Sequence, residues 1–97
     1  MAAQGSINLN FGAFPGALQA QAVVGSQTGI LSTSLVEAWL YPVATADHSV
    51  DEQIFDSTSL IVTAANIVPG TGFTIYGQVD LGNAPLYGNY NIAWVWN

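Results

Sequence analysis

Short stretches of alternating apolar and polar residues, separated by turn sequences, dominate this chain. Ile7, Leu9 and Phe11 alternate with asparagines, which is typical of a strand with one buried face. No segment shows a helical hydrophobic period over the roughly 11 residues of a mean helix. The expected strands comprise residues 7–11, 19–24, 30–41, 58–68, 73–79 and 86–97. We therefore predict a single all-β domain over residues 1–97, an antiparallel β-sandwich of jelly-roll type with about six to eight strands.

Two Pro-Gly pairs and one acidic segment separate these strands. Phe14–Ala17 and Val68–Thr71 both place proline second and glycine third, as a type II turn favours. Pro42 is expected to end the strand that begins at residue 30. Residues 43–57 contain most of the acids and the single histidine. We expect a long loop there, with one helical turn around Ser49–Ile54.

The chain contains six carboxylates but no lysine and no arginine. Without a cation from the protein to neutralise phosphates, direct binding of nucleic acid is not expected. A buried carboxylate must be protonated, hydrogen-bonded, metal-bound or paired with another molecule. No apolar stretch approaches the roughly 18 residues of a membrane span, and we expect no membrane contact. With no cysteine, stability comes from packing and backbone hydrogen bonds, which oligomer contacts would reinforce.

Aromatic residues concentrate on two of the expected strands. On the last strand, one face carries Tyr90, Ile92, Trp94 and Trp96. On the strand 30–41, one face carries Leu35, Glu37, Trp39 and Tyr41. Three interpretations stay open: a core with the remaining aromatics scattered on the surface, a subunit interface, or a row that stacks on sugars. The candidate interface residues are Glu37, Trp39, Tyr41, Tyr90, Trp94 and Trp96.

Glu37 sharpens the choice between these interpretations. It lies in the middle of a strand, on the same face as Leu35 and Trp39. If that face packs inward, the carboxylate finds no lysine or arginine in its own chain. Either the face is exposed to solvent at this point, or Glu37 contacts an N–H group or an amine of a neighbouring subunit.

The acidic segment contains the one chemically suggestive cluster, formed by Asp47, His48, Asp51, Glu52 and Asp56. On a helical turn, His48, Asp51 and Glu52 share one side. Imidazole and carboxylates together are a possible set of ligands for a divalent metal. Because the segment has no DxDxDG loop, no HExxH motif and no second histidine, we expect a solvated acidic loop with neither metal nor cofactor.

Enzymatic activity is not expected, and we assign no catalytic residue. The chain has no cysteine or lysine nucleophile and no arginine, and it has neither a GxSxG motif nor a glycine-rich phosphate loop. A Ser–His–Asp set drawn from His48 and any serine is possible in every sequence that has one histidine.

Five strings of residues carry a resemblance to known proteins: Ile7–Gly16, Val36–Trp39, Ala46–His48, Gly70–Tyr76 and Ala93–Trp96. They resemble short proteins of tailed phages and prophages that are found among virion structural genes. The resemblance spans nearly the whole chain and brings no catalytic or ligand residues. It implies a virion component, specifically a head decoration (cement) protein with a β-sandwich or jelly-roll fold.

The resemblance also implies a partner and a location. The partner would be the major capsid protein or another virion protein, bound at the outer surface of the particle. An acidic surface suits basic patches of a shell protein, and small all-β subunits suit symmetric homo-oligomers, of which we favour a trimer. The alternatives are a tail- or fibre-associated structural protein and a carbohydrate-binding or adhesion module.

Overall fold

The computed structural model describes residues 3–46, 48–56, 59–79 and 85–97. In chain order, the elements within these ranges are β1 (Ala3–Asn10), β2 (Gln19–Val24), β3 (Val36–Leu40), α1 (Val50–Asp56), β4 (Leu60–Val68), β5 (Gly72–Val79) and β6 (Asn89–Trp96). The all-β fold class is therefore confirmed. No helix in the described part of the chain is long and apolar enough to cross a membrane.

The strands form two antiparallel sheets, each with three strands, in the orders β1-β6-β3 and β2-β5-β4. β6 is the centre of the first sheet, where Ile92 is paired with Ile7 on one side and with Leu40 on the other. β5 is the centre of the second sheet. β1 contacts β2 and β3 contacts β4, and one buried cluster contains residues of both sheets. The β-sandwich and its jelly-roll topology stay predictions.

The period-two alternation of the central strands builds the core between the sheets. From β6 the core receives Tyr90, Ile92, Trp94 and Trp96, and from β5 it receives Phe73, Ile75 and Val79. The rings of Phe73 and Trp94 meet edge to face across the core, with centroids 5.6 Å apart. Among the described residues, the buried apolar side chains form one cluster.

Two glycines allow large core side chains to pack directly against the strand backbone. A Cβ atom on Gly5 would stand 2.6 Å from Cζ2 of Trp94, and one on Gly77 would stand 2.4 Å from Cδ2 of Leu9. Both distances are far below van der Waals contact, so the core uses the space that a side chain would take.

The strand expected over residues 30–41 is shorter in the structure, where β3 covers only Val36–Leu40. The N–H of Ser34 donates to the carbonyl of Leu31 (3.0 Å), and its hydroxyl accepts the N–H of Leu31 (2.9 Å). Local hydrogen bonds of a serine compete with the sheet. The chain therefore turns here before it enters β3, although Ile30 is buried.

One of the two predicted Pro-Gly turns is correct. At Val68–Thr71, the N–H of Thr71 donates to the carbonyl of Val68 (3.0 Å), and Gly70 has the positive φ of 76° that a type II turn requires. The other prediction is wrong. The N–H of Gly16 donates to the carbonyl of Ala13 (2.7 Å), so the turn lies one residue earlier, and the Phe14–Pro15 peptide bond is cis.

Candidate functional site

An open groove crosses the outer face of the sheet β1-β6-β3. One wall carries Trp39 and Tyr41, and the other carries Gln4 and Ser6 of β1. Ala93 of β6 is paired with both Trp39 and Ser6, so its small methyl group forms the floor between the walls. The groove has a volume of about 590 Å³.

The strand geometry directs both aromatic rings into this groove. Val36, Ala38 and Leu40 pack against the core, which leaves Trp39 and Tyr41 on the outer side with 44% and 57% of their surfaces exposed. Tyr41 keeps the sheet register beyond the end of β3, because its N–H donates to the carbonyl of Asn91 (3.0 Å) and its carbonyl accepts the amide of Asn91 (3.1 Å). Because Trp39 and Tyr41 are two residues apart on extended backbone, their Cα atoms lie about 7 Å apart and their side chains share one face.

The six interface candidates fall into a surface set and a core set. Glu37, Trp39 and Tyr41 lie on the exposed outer face of the sheet. Tyr90, Trp94 and Trp96 are at most 7% exposed, because β6 is a central strand whose inner face is covered by the second sheet. Their burial leaves little of these three side chains within reach of a partner, although Trp94 also borders the groove. The core interpretation therefore accounts for β6, and only the β3 residues remain available.

Glu37 is exposed to solvent, as the first of its two interpretations expects. It is paired with Val95, whose partner on the other side is Gln4. Glu37 therefore shares a cross-strand row with Gln4 but does not itself line the groove, and hydration removes its need for a cation from another molecule.

A second polar cluster surrounds His48 where α1 meets the sheets. His48 is 3% exposed, and its ring stacks on Tyr90 at a centroid distance of 4.5 Å. Its Nδ1 lies 3.0 Å from Oε2 of Glu52, and its Nε2 faces the carbonyl of Tyr87. Both ring nitrogens thus face acceptors, so the imidazolium form can donate to both. The hydroxyl of Tyr90 donates to Asp56 (2.7 Å).

The surroundings of His48 favour its charged form. Burial lowers the pKa of His48, but the hydrogen bonds to Glu52 and Tyr87 and the charges of Glu52 and Asp56 outweigh it and raise the pKa above 6.5. The hydrogen bond from His48 and a second from the N–H of Ser49 lower the pKa of Glu52. Burial and the bond to Asp56 raise the pKa of Tyr90. In a chain without lysine or arginine, His48 is the one side chain that can carry a positive charge.

This arrangement predicts a maximum of stability between the ordinary pKa values of Glu52 and His48. The contribution of His48 is complete below 6.5 and is lost as the pH rises through its raised folded pKa. The contribution of Glu52 is present above 4.5 and is lost as the pH falls through its lowered pKa. Urea unfolding at a series of pH values from about pH 4 to pH 9 measures how the free energy of unfolding depends on pH. His48→Gln is expected to remove the alkaline decline, and an equal decline in both proteins contradicts the assignment.

The expectation of a solvated acidic loop is wrong for His48, which is buried and hydrogen-bonded at both nitrogens. The predicted approach of His48 to Glu52 is confirmed.

Among the described residues, no group of three or more histidine, cysteine or acidic side chains could hold a metal ion. Asp47 lies outside the described residues. The geometry makes His48 a structural link between α1 and the segment that contains Tyr87.

Helix α1 buries a polar side chain and exposes apolar ones. Gln53 is fully buried; its amide nitrogen donates to the carbonyl of Val43, and its amide oxygen accepts the N–H of the same residue (3.4 Å). Val50, Ile54 and Phe55 are 38%, 51% and 75% exposed. We call these three residues the α1 patch. An amphipathic surface helix has the opposite orientation.

The start of α1 carries a capping box that the sequence interpretation missed. The hydroxyl of Ser49 accepts the N–H of Glu52 (3.1 Å), and the carboxylate of Glu52 accepts the N–H of Ser49 (3.4 Å). A serine followed three residues later by glutamate is the sequence signal for this motif. Since Glu52 also accepts from His48, one carboxylate fixes both the helix start and the buried imidazole.

The fold is that of a small all-β protein, and its described residues form at least two exposed surfaces with apolar side chains, the aromatic groove and the α1 patch. Comparisons of the chain with models of protein families, with curated proteins and with solved structures find no match. The function is therefore inferred from the chemistry of the two surfaces and from the resemblance of the sequence strings.

Proposed function

We propose that this chain is a non-enzymatic structural protein of a tailed-phage virion that binds the outer surface of the capsid shell as a homo-oligomer. The resemblance of strings such as Ile7–Gly16 and Ala93–Trp96 to virion proteins supplies the class. The observation that carries the proposal is the orientation of α1, which presents the α1 patch to the outside.

The α1 patch has the composition of an interface rather than of an ordinary surface. A helix of seven residues is not stable by itself, and the bonds of Gln53, Ser49 and Glu52 hold this one in place. An exposed apolar patch with a polar rim gains free energy when a partner covers it.

The charges around the α1 patch indicate the chemistry of the partner. Asp51 and Glu52 are exposed beside the patch, and Asp56 is half-buried at the end of the helix. The chain has a net charge of −6 and no lysine or arginine. The complementary surface is therefore an apolar recess bordered by lysine or arginine, which would also accelerate association at low salt. A shell protein with basic patches on its outer face meets this description.

Co-sedimentation with shells that lack the chain tests this proposal. The double variant Ile54→Ser/Phe55→Ser is expected to bind at least about tenfold more weakly, because truncation of interface anchors typically costs more than about 1 kcal/mol. Leu31→Ser is the matched control, since Leu31 is 62% exposed outside α1; it is expected to bind like the native chain. Raising the salt concentration is expected to weaken binding.

Three outcomes contradict the proposal: no binding to shells, equal binding by the double variant, or binding to purified tails alone, which favours the tail-associated alternative. Sedimentation equilibrium tests the homo-oligomer separately. A trimer is expected, and a monomer at about 100 µM contradicts that part of the proposal.

A further inference from the structure

We infer that the groove beside Trp39 and Tyr41 binds a pyranose ring of an uncharged glycan. This inference does not depend on the virion assignment and concerns different residues from the α1 patch. It rests on the exposed aromatic pair, on the neutral polar side chains that face the pair, and on the small floor residue between them.

The aromatic wall supplies the apolar contact that a sugar ring requires. Trp39 and Tyr41 are 44% and 57% exposed on one face of the strand. The reciprocal hydrogen bonds between Tyr41 and Asn91 hold the second ring in the sheet register. Aromatic side chains with few rotatable bonds form a platform that loses little conformational entropy on binding. The apolar C–H face of a pyranose can stack on such a platform.

The opposite wall supplies hydrogen bonds without charge. Gln4 offers an amide, Ser6 offers a hydroxyl, and the amide of Asn91 lies at the same face. Among the described residues that line the groove, none is charged, although the chain has a net charge of −6. A neutral groove complements a neutral, hydroxyl-rich ligand.

The register provides the space between the two walls. Ala93 stands between Trp39 and Ser6 in adjacent strands, and the resulting groove of about 590 Å³ lies within the range of small-molecule sites. A longer side chain at this position would fill the gap between the rings and the polar wall. Ala93→Leu is therefore expected to block the groove while both aromatic residues stay in place.

A glycan array followed by calorimetric titration of the full chain tests the inference. We expect signals on neutral oligosaccharides, with pentamers of glucose and of N-acetylglucosamine as the first probes. Trp39→Ala and Ala93→Leu are each expected to weaken binding about tenfold or more, whereas Trp39→Phe retains part of it. Val23→Ala, at an exposed position of the second sheet, is the control and is expected to bind like the native chain.

Two results overturn the inference. The first is an array on which no neutral glycan gives a signal above that of Trp39→Ala. The second is a change of oligomeric state in Trp39→Ala without any glycan binding by the native chain, which would make this face an interface between copies. Circular dichroism of each variant shows whether the fold is intact, and Trp39→Phe retains a readout if the alanine variant fails to fold.

Discussion

Truncation of Trp94 to alanine is expected to lower the free energy of unfolding by about 3–5 kcal/mol. The indole is 7% exposed, meets Phe73 edge to face, and lies against Gly5 of the neighbouring strand. Its removal leaves a cavity between the two sheets that the rigid strands cannot close. Small domains have a total stability of about 5–15 kcal/mol, so a large part of the variant is expected to be unfolded at physiological temperature.

Trp39 provides a matched control for this prediction within the same chain. It is the same residue type on the same sheet, but it is 44% exposed. Trp39→Ala is therefore expected to cost less than about 1 kcal/mol. Urea unfolding monitored by circular dichroism measures both variants. Equal losses of stability would contradict the division of the aromatic residues into a core set and a surface set.

Replacement of Gln53 by leucine is expected to lower the free energy of unfolding by about 2–4 kcal/mol, although leucine is apolar and similar in size. The amide of Gln53 satisfies both the N–H and the carbonyl of Val43 and approaches the carbonyl of His48. Leucine can make none of these bonds, so polar groups of the backbone lose their partners in a partly buried position.

The same substitution connects stability with the proposed function. Since Gln53 anchors α1 to the segment before it, the leucine variant is expected to bind shells less well even though the α1 patch is unchanged. Gln21→Leu, at an exposed position of β2, is the control and is expected to change the unfolding free energy by less than about 0.5 kcal/mol. An unchanged or increased stability of Gln53→Leu would contradict the structural role of this buried amide.

The strand pattern of the sequence carries most of the information about the core. In β6, every second residue from Tyr90 to Trp96 is buried, as the alternation predicts, because side chains of an extended strand alternate between its two faces. The start of β3 was less predictable. Ser34 forms a local turn with Leu31, and these hydrogen bonds compete with those of the sheet. The pattern of apolar residues contains no information about this competition.

The candidate sites depend on contacts between distant parts of the chain, which limits what the sequence can reveal. The approach of His48 to Glu52 follows from their spacing, but the carbonyl of Tyr87 lies 39 residues away. The groove requires Ser6, Ala93 and Trp39 to be aligned across three strands, and strand order cannot be read from periodicity. The apolar side chains of α1 face outward, which is the opposite of what an amphipathic helix pattern predicts. The hydrogen bonds of Gln53 to Val43 determine which side of the helix faces the domain.

Electron cryo-microscopy of phage particles assembled with this chain is the decisive experiment for the proposed attachment to a shell. Density for the two small sheets is expected on the outer surface of the shell, in homo-oligomeric clusters, with Ile54 and Phe55 against the shell and basic shell residues near Asp51 and Glu52. A particle that lacks the chain, or one in which the α1 patch faces solvent and the shell binds another surface, would contradict it.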